Sequence, residues 1–225
     1  MAASSSALMT SSSTSTSAVK KASKEEIAKN IAESKLMVSV SRDKHTEVVS
    51  VSSLIEAAKK ANRAIIFFIT PGPFKKDLPP HWGDDPRRLG CTLNVNKCEA
   101  DLLELDADIF AINHHSAEYQ AGTANEEGLV KRKGLTNVRM ISGNNGELQE
   151  KWKLRTLPIE NDNEKYLDRL TVVIMPNGAI HAFDDLVGPL NDAKMNLHIA
   201  AIKSIIAPVQ NNTPSANTPA APAKK

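Results

Sequence analysis

Short apolar runs alternate along this chain with segments that have the spacing of amphipathic helices. Residues 64–69 form an unbroken run rich in β-branched and aromatic side chains, which is typical of a strand buried on both faces. Residues 108–112 predict a second buried strand. Further strands are predicted at residues 37–41, 47–50, 138–141, 169–175 and 179–183, with a Pro-Asn-Gly turn joining the last two.

Pairs of polar residues mark where two helices begin. Ser23 with Glu26 and Ser53 with Glu56 match the capping box, in which side chains satisfy the unpaired amides of a helix start. Helices are expected at residues 23–36, 54–61, 91–106 and 147–154, in an interrupted stretch that ends near residue 134, and from Asn191 onward. This alternation, followed by a hairpin and a helix, predicts an α/β fold with a mixed sheet and helices on both faces.

The length of 225 residues and a hydrophobic content of 41% predict one domain with tails. Residues 1–22 are rich in Ser and Thr and contain no acid, so we expect them to be disordered. Residues 23–36 predict a short amphipathic helix ahead of a main domain at residues 37–207. Residues 208–225 are rich in Pro, Ala and Asn and predict a second disordered tail.

Charge and cysteine content exclude several classes of function. The net charge of +2 comes from interspersed acids and bases, which predicts no nucleic-acid surface. No apolar stretch approaches the length that spans a bilayer, so no membrane segment is expected. The two cysteines make neither a secreted disulfide scaffold nor a zinc site. His114 and His115 are adjacent and on a strand would face opposite sides, so we expect no metal role for this pair. No cofactor is expected.

The N-terminal segment bears on localisation. Residues 1–22 lack the apolar core of a secretory signal. Their acid-free, hydroxyl-rich composition fits an organelle transit peptide, although they contain no arginine. We therefore expect a cytoplasmic protein, with a plastid or another organelle as the alternative.

The two cysteines, Cys91 and Cys98, continue through Leu102 and Leu105 as one apolar stripe of the predicted helix. Cys91 stands at the helix start, where unpaired amides and the helix dipole favour the nucleophilic thiolate. Two buried core cysteines are the alternative. The thiols would lie roughly 10 Å apart along the helix, so they could form a disulfide only if the helix start unwinds.

Four collinear pieces of residues 37–207 resemble the peroxiredoxins, the thioredoxin-fold peroxidases. They are most similar to the peroxiredoxin Q branch, the bacterioferritin comigratory proteins. Gly90-Cys91-Thr92 matches the Gly-Cys-Thr around the peroxidatic cysteine, with a second cysteine on the same helix as in that branch. The other pieces are the strands at residues 65–68 and 108–113 and the segment 169–178, continued by 182–185. The resemblance implies a thioredoxin-like fold.

The resemblance also implies roles for three residues. Cys91 would be the peroxidatic thiolate that attacks a hydroperoxide, and Cys98 would be the resolving thiol that forms a disulfide with it. Arg169 would stabilise the thiolate and orient the peroxide. A thioredoxin-type dithiol would reduce the disulfide, and the protein would be a monomer or a weak dimer.

The segment before Cys91 departs from the family's Pro-x-x-x-Thr-x-x-Cys loop. Arg88 stands at the threonine position and Asp84 at the proline position, and the two cysteines are farther apart than is usual in that branch. Residues 70–72 repeat the Thr-Pro-Gly of the loop, but Pro73 occupies the cysteine position, so we treat this match as coincidental.

Two functions therefore stand as predictions. The first is a thioredoxin-dependent peroxidase in which Arg88 supplies the donor that the threonine would give, in a pocket shared with Arg169. The alternative is a catalytically weakened or inert thioredoxin-fold module that acts in redox sensing or partner binding, with residues 70–90 as its contact surface. The missing threonine favours the module, whereas the retained Cys91, Cys98 and Arg169 favour the enzyme.

Overall fold

The computed structural model describes residues 21–71, 107–124, 128, 138–157, 166–184 and 192–210. The strands in these residues are Met37–Arg42 (β1), His45–Ser50 (β2), Ile65–Ile69 (β3), Asp108–Asn113 (β4), Val138–Ser142 (β5), Thr156–Leu157 (β6), Tyr166–Leu167 (β7), Leu170–Ile174 (β8) and Ile180–Phe183 (β9). The helices are Lys24–Ala32 (α1), Val51–Lys60 (α2), Ala117–Ala121 (α3), Gly146–Trp152 (α4) and Asp192–Gln210 (α5).

One mixed sheet dominates the fold, with the strand order β2-β1-β5-β4-β3-β8-β9. The central strands β3, β4 and β5 run parallel, and Phe67 of β3 lies opposite Phe110 of β4. β8 pairs antiparallel with β3, and β1 pairs antiparallel with β5. Every strand predicted from the hydrophobic pattern is present, with bounds that differ by one or two residues.

Helices cover both faces of the sheet, which explains why the central strands are apolar throughout. Ile65, Phe67 and Ile69 of β3 face a layer that contains α1, α2 and α4. Ile66 and Phe68 face the opposite layer, which contains α5. A strand covered on both sides has no solvent face for polar residues. The predicted α/β class, a mixed sheet with helices on both faces, is confirmed.

The N-terminal helix shares the core of the sheet. Ser23 caps α1, because its Oγ accepts the backbone N–H of Glu26 at 3.1 Å as the capping box predicts. Ile27 and Ile31 are fully buried in the same layer as β3. The helix that the sequence placed ahead of the main domain therefore packs directly on it.

The second helix begins three residues before its predicted start. Ser50, not Ser53, is the N-cap, and its Oγ accepts the backbone N–H of Ser53 at 3.1 Å. The chain thus passes from β2 into α2 without a loop. The early start places Val51 in the core, where it is fully buried.

One pair of strands was not predicted. β6 and β7 form a separate two-stranded antiparallel sheet in which Thr156 lies opposite Leu167. Tyr166 and Leu167 of β7 are fully buried. No helix in the described ranges is both long enough and apolar enough to cross a membrane.

Candidate functional site

The carboxyl ends of β3 and β4 meet the start of β8 at one edge of the sheet, where several buried polar residues lie. The register of β3 with β8 ends with Ile69 opposite Leu170, so the next residues beyond the paired ends of the two strands are Thr70 and Arg169. Ligand sites in open α/β sheets lie outside the carboxyl ends of the strands. Arg169, a predicted site residue, is at this edge, directly before β8 and not within it as predicted.

Two side chains hold the backbone N–H and C=O groups of Arg169. The Oδ1 atom of Asp168 accepts the backbone N–H of Arg169 at 2.8 Å, and Nη2 of Arg155 donates to the Arg169 carbonyl at 3.4 Å. Arg169 is 8% exposed, and peptide groups this deeply buried require hydrogen-bond partners. Arg155 and Asp168 therefore fix the backbone from which the Arg169 guanidinium extends.

Thr70 is the second polar residue at this edge. Its backbone N–H donates to the carbonyl of Ile112 at 2.8 Å, which continues the pairing of β3 with β4 by one residue. Thr70 is buried, and its Oγ1 has no hydrogen-bond partner among the residues that the structure describes. Because residues two apart share a face, Thr70 lies on the face of Phe68, and Arg169 lies on the face of Thr171, the residue opposite Phe68. The side chains of Thr70 and Arg169 thus leave neighbouring backbone positions on the same face, the α5 side of the sheet.

Two buried histidines follow β4 at the same edge. Nδ1 of His114 lies 2.7 Å from the carbonyl oxygen of Pro71 and must donate to it, because a carbonyl only accepts. The ring centroids of His114 and His115 are 3.9 Å apart, and Tyr166 lies 4.2 Å from His114. The expectation that the two imidazoles face opposite sides is wrong, because β4 ends at Asn113 and the chain bends directly after it.

Asn113 stabilises that bend. Its Oδ1 accepts the side-chain amide of Gln120 at 2.9 Å and the backbone N–H of His115 at 3.1 Å. The backbone N–H of Gly143 donates to the Asn113 carbonyl at 2.6 Å. A Cβ on Gly143 would lie 2.5 Å from that oxygen and 2.8 Å from Leu167 Cδ1, so only glycine permits this approach.

Charged residues connect this edge to the N-terminal helix. Nε of Arg155 lies 3.6 Å from Asp168 Oδ2, and its Nη1 lies 3.6 Å from Asp184 Oδ2. Lys24 of α1 contacts Asp184 Oδ1 at 3.2 Å. Burial alone would raise the pKa of Asp184, but the hydrogen bond and charge of Lys24, together with the charge of Arg155, hold that pKa below its ordinary value.

Sequence reasoning identified Arg169 and missed Arg155 and Asp168. The β6–β7 pair brings the two together, and the backbone N–H of Asp168 donates to the Arg155 carbonyl at 2.8 Å. Strands of two residues leave no periodic pattern in a sequence. The one local signal is an aspartate directly before Arg169, since this residue type often binds nearby backbone amides.

Cys91, Cys98 and Arg88 lie outside the described residues, so their roles remain predictions. Within the described residues, no group of three or more His, Cys, Asp or Glu is arranged to hold a metal ion. What the described edge offers is a buried arginine and a buried threonine at neighbouring positions of the strand register. Such a pair can bind an anionic or partly negative oxygen or sulfur atom.

No family model and no curated protein matches this chain. Several solved structures are similar to it in backbone. They include AhpC of Enterococcus faecalis, with a TM-score of 0.49 and 15% identity over 82% of this chain and 94% of that chain. A variant of peroxiredoxin Q from Xanthomonas campestris has a TM-score of 0.47 and 16% identity over 76% and 91%. The mitochondrial 2-Cys peroxiredoxin of Plasmodium falciparum has a TM-score of 0.49 and 15% identity over 81% and 95%. At this identity the similarity concerns the fold, and the chemistry has to be inferred from the residues of this chain.

Proposed function

We propose that this chain is a thiol-dependent peroxidase that reduces hydrogen peroxide or organic hydroperoxides. The observation that supports the proposal is the position of Arg169. It is buried beside Thr70, at the edge where the chain leaves β3 on its way to Cys91. A guanidinium fixed at this edge can favour a thiolate over a thiol and can bind the oxygens of a peroxide.

The first step consumes the peroxide. The Cys91 thiolate attacks one oxygen of the hydroperoxide, so that an S–O bond forms while the O–O bond breaks. The sulfur is oxidised by two electrons, and the leaving hydroxide or alkoxide takes a proton to become water or an alcohol. Cys91 is left as a sulfenic acid.

In the second step Cys98 resolves the sulfenic acid on Cys91. The Cys98 thiol attacks the Cys91 sulfur, which forms a disulfide and releases water. A dithiol of the thioredoxin type then reduces this disulfide by thiol–disulfide exchange and is itself oxidised. If these residues form the helix that the sequence predicts, the two cysteines are too far apart to join on it, and resolution then requires the helix start to unwind.

A second donor to the peroxide completes the proposed pocket. Arg88 takes this role in the proposal, since it stands at the position of the family's threonine. Replacing Arg88 with Ala should lower the second-order rate constant with hydrogen peroxide. An unchanged rate would show that Arg88 is not the donor. The same measurement on Thr70→Val would then test whether the buried hydroxyl of Thr70 is the donor.

Thiol titration before and after one equivalent of hydrogen peroxide tests the proposal. The reduced wild type should lose both thiols and form the Cys91–Cys98 disulfide. The Cys98→Ser variant should lose its one thiol and be labelled by a sulfenic-acid reagent, whereas Cys91→Ser should keep its thiol. If the wild type keeps both thiols, the chain is not a peroxidase, and the redox-inert binding module becomes the better description.

A further inference from the structure

We infer that Arg155 is a positioning residue for Arg169, and that the cluster of Arg155, Asp168 and Asp184 determines where the Arg169 guanidinium lies. This inference rests on the proposed function, since it concerns how the guanidinium reaches Cys91 and the peroxide. Arg155 is assigned no contact with substrate.

Three nitrogens of the Arg155 side chain face different groups: Nη2 donates a hydrogen bond, Nη1 and Nε lie at ion-pair distance from carboxylates, and the buried Nε has no hydrogen-bond partner among the described residues. Nη2 donates to the backbone carbonyl of Arg169 at 3.4 Å. Nε lies 3.6 Å from a carboxylate oxygen of Asp168, and Nη1 lies 3.6 Å from a carboxylate oxygen of Asp184. One planar guanidinium therefore joins the β6–β7 pair, the end of β9 and the start of β8.

Asp168 contributes to the same arrangement from the other side of the Arg169 peptide. One of its carboxylate oxygens faces Arg155, and the other accepts the backbone N–H of Arg169 at 2.8 Å. Side chains thus hold both the N–H and the C=O of Arg169. These groups belong to the two peptide planes on either side of the Arg169 Cα, and rotation of either plane would redirect the side chain, so each hydrogen bond opposes one of the two rotations.

The cluster acts from the face opposite to the Arg169 side chain. Phe183 lies opposite Thr171, so Asp184 continues the register beside Leu170. Leu170 belongs to the core layer that contains α1, and Lys24 of α1 contacts Asp184 at 3.2 Å. Since Arg169 lies on the other face, with Thr171, Arg155 influences it through the backbone.

Burial makes the geometry of this cluster matter. The side chains of Arg155 and Asp168 are 16% and 14% exposed, so water replaces their lost contacts poorly. A lysine at position 155 would keep the positive charge, but one ammonium group cannot take the place of a planar fork with three separate partners. Arg155→Lys therefore separates geometry from charge.

The sheet provides a matched control at its opposite edge. Arg63 also contacts an aspartate, Asp108 at 3.5 Å, and donates to a backbone carbonyl, that of Ala107, at 3.0 Å. These residues lie at the amino ends of β3 and β4, and the length of β3 separates them from Arg169. Arg63→Lys repeats the chemical change of Arg155→Lys at a place from which it cannot reposition Arg169.

The experiment measures two quantities in the full chain. The first is the second-order rate constant with hydrogen peroxide. The second is the pH midpoint for alkylation of Cys91 by iodoacetamide in a Cys98→Ser background, which reports the thiolate whether or not the protein reduces peroxide. We expect Arg155→Lys to lower the rate about ten- to a hundredfold, as displacement of a catalytic group by about 1 Å can do, and to move the midpoint to higher pH. Arg63→Lys should change neither quantity.

Asp168→Ala distinguishes an effect of charge from an effect of positioning, because the two move the pH midpoint of Cys91 alkylation in opposite directions. Through charge alone, removing a carboxylate near Arg169 would favour the thiolate and lower the pH midpoint. Through positioning, releasing the Arg169 peptide would raise the midpoint and slow the reaction. The thermal unfolding temperature of each variant is compared with that of Arg63→Lys. The comparison shows whether a change in rate can be attributed to lost stability.

The possible results separate the two proposals. A wild type that reacts with peroxide no faster than Cys91→Ser overturns the proposed peroxidase function. Arg155→Lys with a wild-type rate and midpoint, or Asp168→Ala with a lowered midpoint, overturns the positioning role of Arg155. A raised midpoint in both variants, with Arg63→Lys unchanged, supports it.

Discussion

The Nδ1 atom of His114 lies 2.7 Å from the carbonyl oxygen of Pro71. This hydrogen bond joins the residue after β4 to the second residue after β3, and both residues are buried. A buried carbonyl left without a donor is costly, so the contact fixes the place from which the chain leaves β3. It also assigns the proton: Nδ1 carries a hydrogen in either charge state of the ring.

Replacing His114 tests this hydrogen bond. His114→Leu should lower the free energy of unfolding by about 1–3 kcal/mol, since it leaves the Pro71 carbonyl buried without this donor. His114→Asn should cost less, because an Asn amide nitrogen can lie close to the position of Nδ1. Denaturant unfolding of both variants gives the comparison. Equal losses in the two would mean that the ring is held by packing and that the hydrogen bond contributes little.

A third buried histidine, His198 of α5, is coupled to the sheet near the candidate site. It is fully buried between the rings of Phe68 and Phe183, and its Nε2 lies 2.9 Å from Thr171 Oγ1. Thr171→Val keeps the side-chain shape and removes the hydroxyl, so it should lower the free energy of unfolding by about 1–3 kcal/mol.

A double-mutant cycle isolates this contact. Thr171→Val and His198→Phe combined should cost less than the sum of the single changes, with a coupling free energy of about 0.5–3 kcal/mol. Thr123→Val, at an exposed position after α3, is the control and should change stability by no more than about 0.5 kcal/mol. Strict additivity of Thr171→Val and His198→Phe would show that the two side chains do not interact.

The sequence predicted the sheet well, because its central strands are covered on both faces. A strand such as β3 has no position where a polar side chain would be tolerated, so its pattern is unbroken. The helix starts were harder, as Ser50 and Ser53 are both good caps and only the burial of Val51 decides between them. The local sequence pattern does not show which of two serines three residues apart begins the helix.

The site was predictable only in part, since most of its contacts join residues that are distant in the chain. Arg169 was identified from a segment that resembles a family, whereas Arg155 was missed because it meets Asp168 through the short β6–β7 pair. Thr70 was treated as a coincidental match, yet the register of β3 with β8 places it beside Arg169. The pairing between strands shows which distant residues lie next to each other, and the spacing of residues along one segment does not.

Two glycines allow a test of the close approach between β5 and β4. Gly143→Ala should lower the free energy of unfolding by about 1–3 kcal/mol, because its Cβ would lie 2.5 Å from the Asn113 carbonyl oxygen. Gly146→Ala is the control, since no atom lies within 4 Å of a Cβ there and the residue begins α4. It should be neutral or stabilising by up to about 1 kcal/mol. Equal effects at the two positions would contradict the close approach.

The pKa of Asp184 predicts how stability changes in acid. In the folded chain Lys24 and Arg155 hold this pKa below the ordinary value of 3.8, against the opposing effect of burial. The unfolded chain therefore takes up a proton at higher pH than the folded one. The contribution of Asp184 is fully present above its unfolded pKa and is lost as the pH falls through its folded pKa.

Asp184→Asn removes that titration and part of the link between α1 and Arg155. We expect the variant to be less stable than the wild type at pH 7, and we expect the difference to shrink below a pH of about 3.8. Denaturant unfolding across this range measures the difference directly. The control is Glu33→Gln, since Glu33 pairs with Lys29 at 3.9 Å on an exposed helix surface, where ion pairs contribute little. A difference between wild type and Asp184→Asn that stays constant from pH 7 into acid would mean that Lys24 and Arg155 do not stabilise the ionised carboxylate, and that the charged link from α1 to the Arg169 edge is not formed in solution.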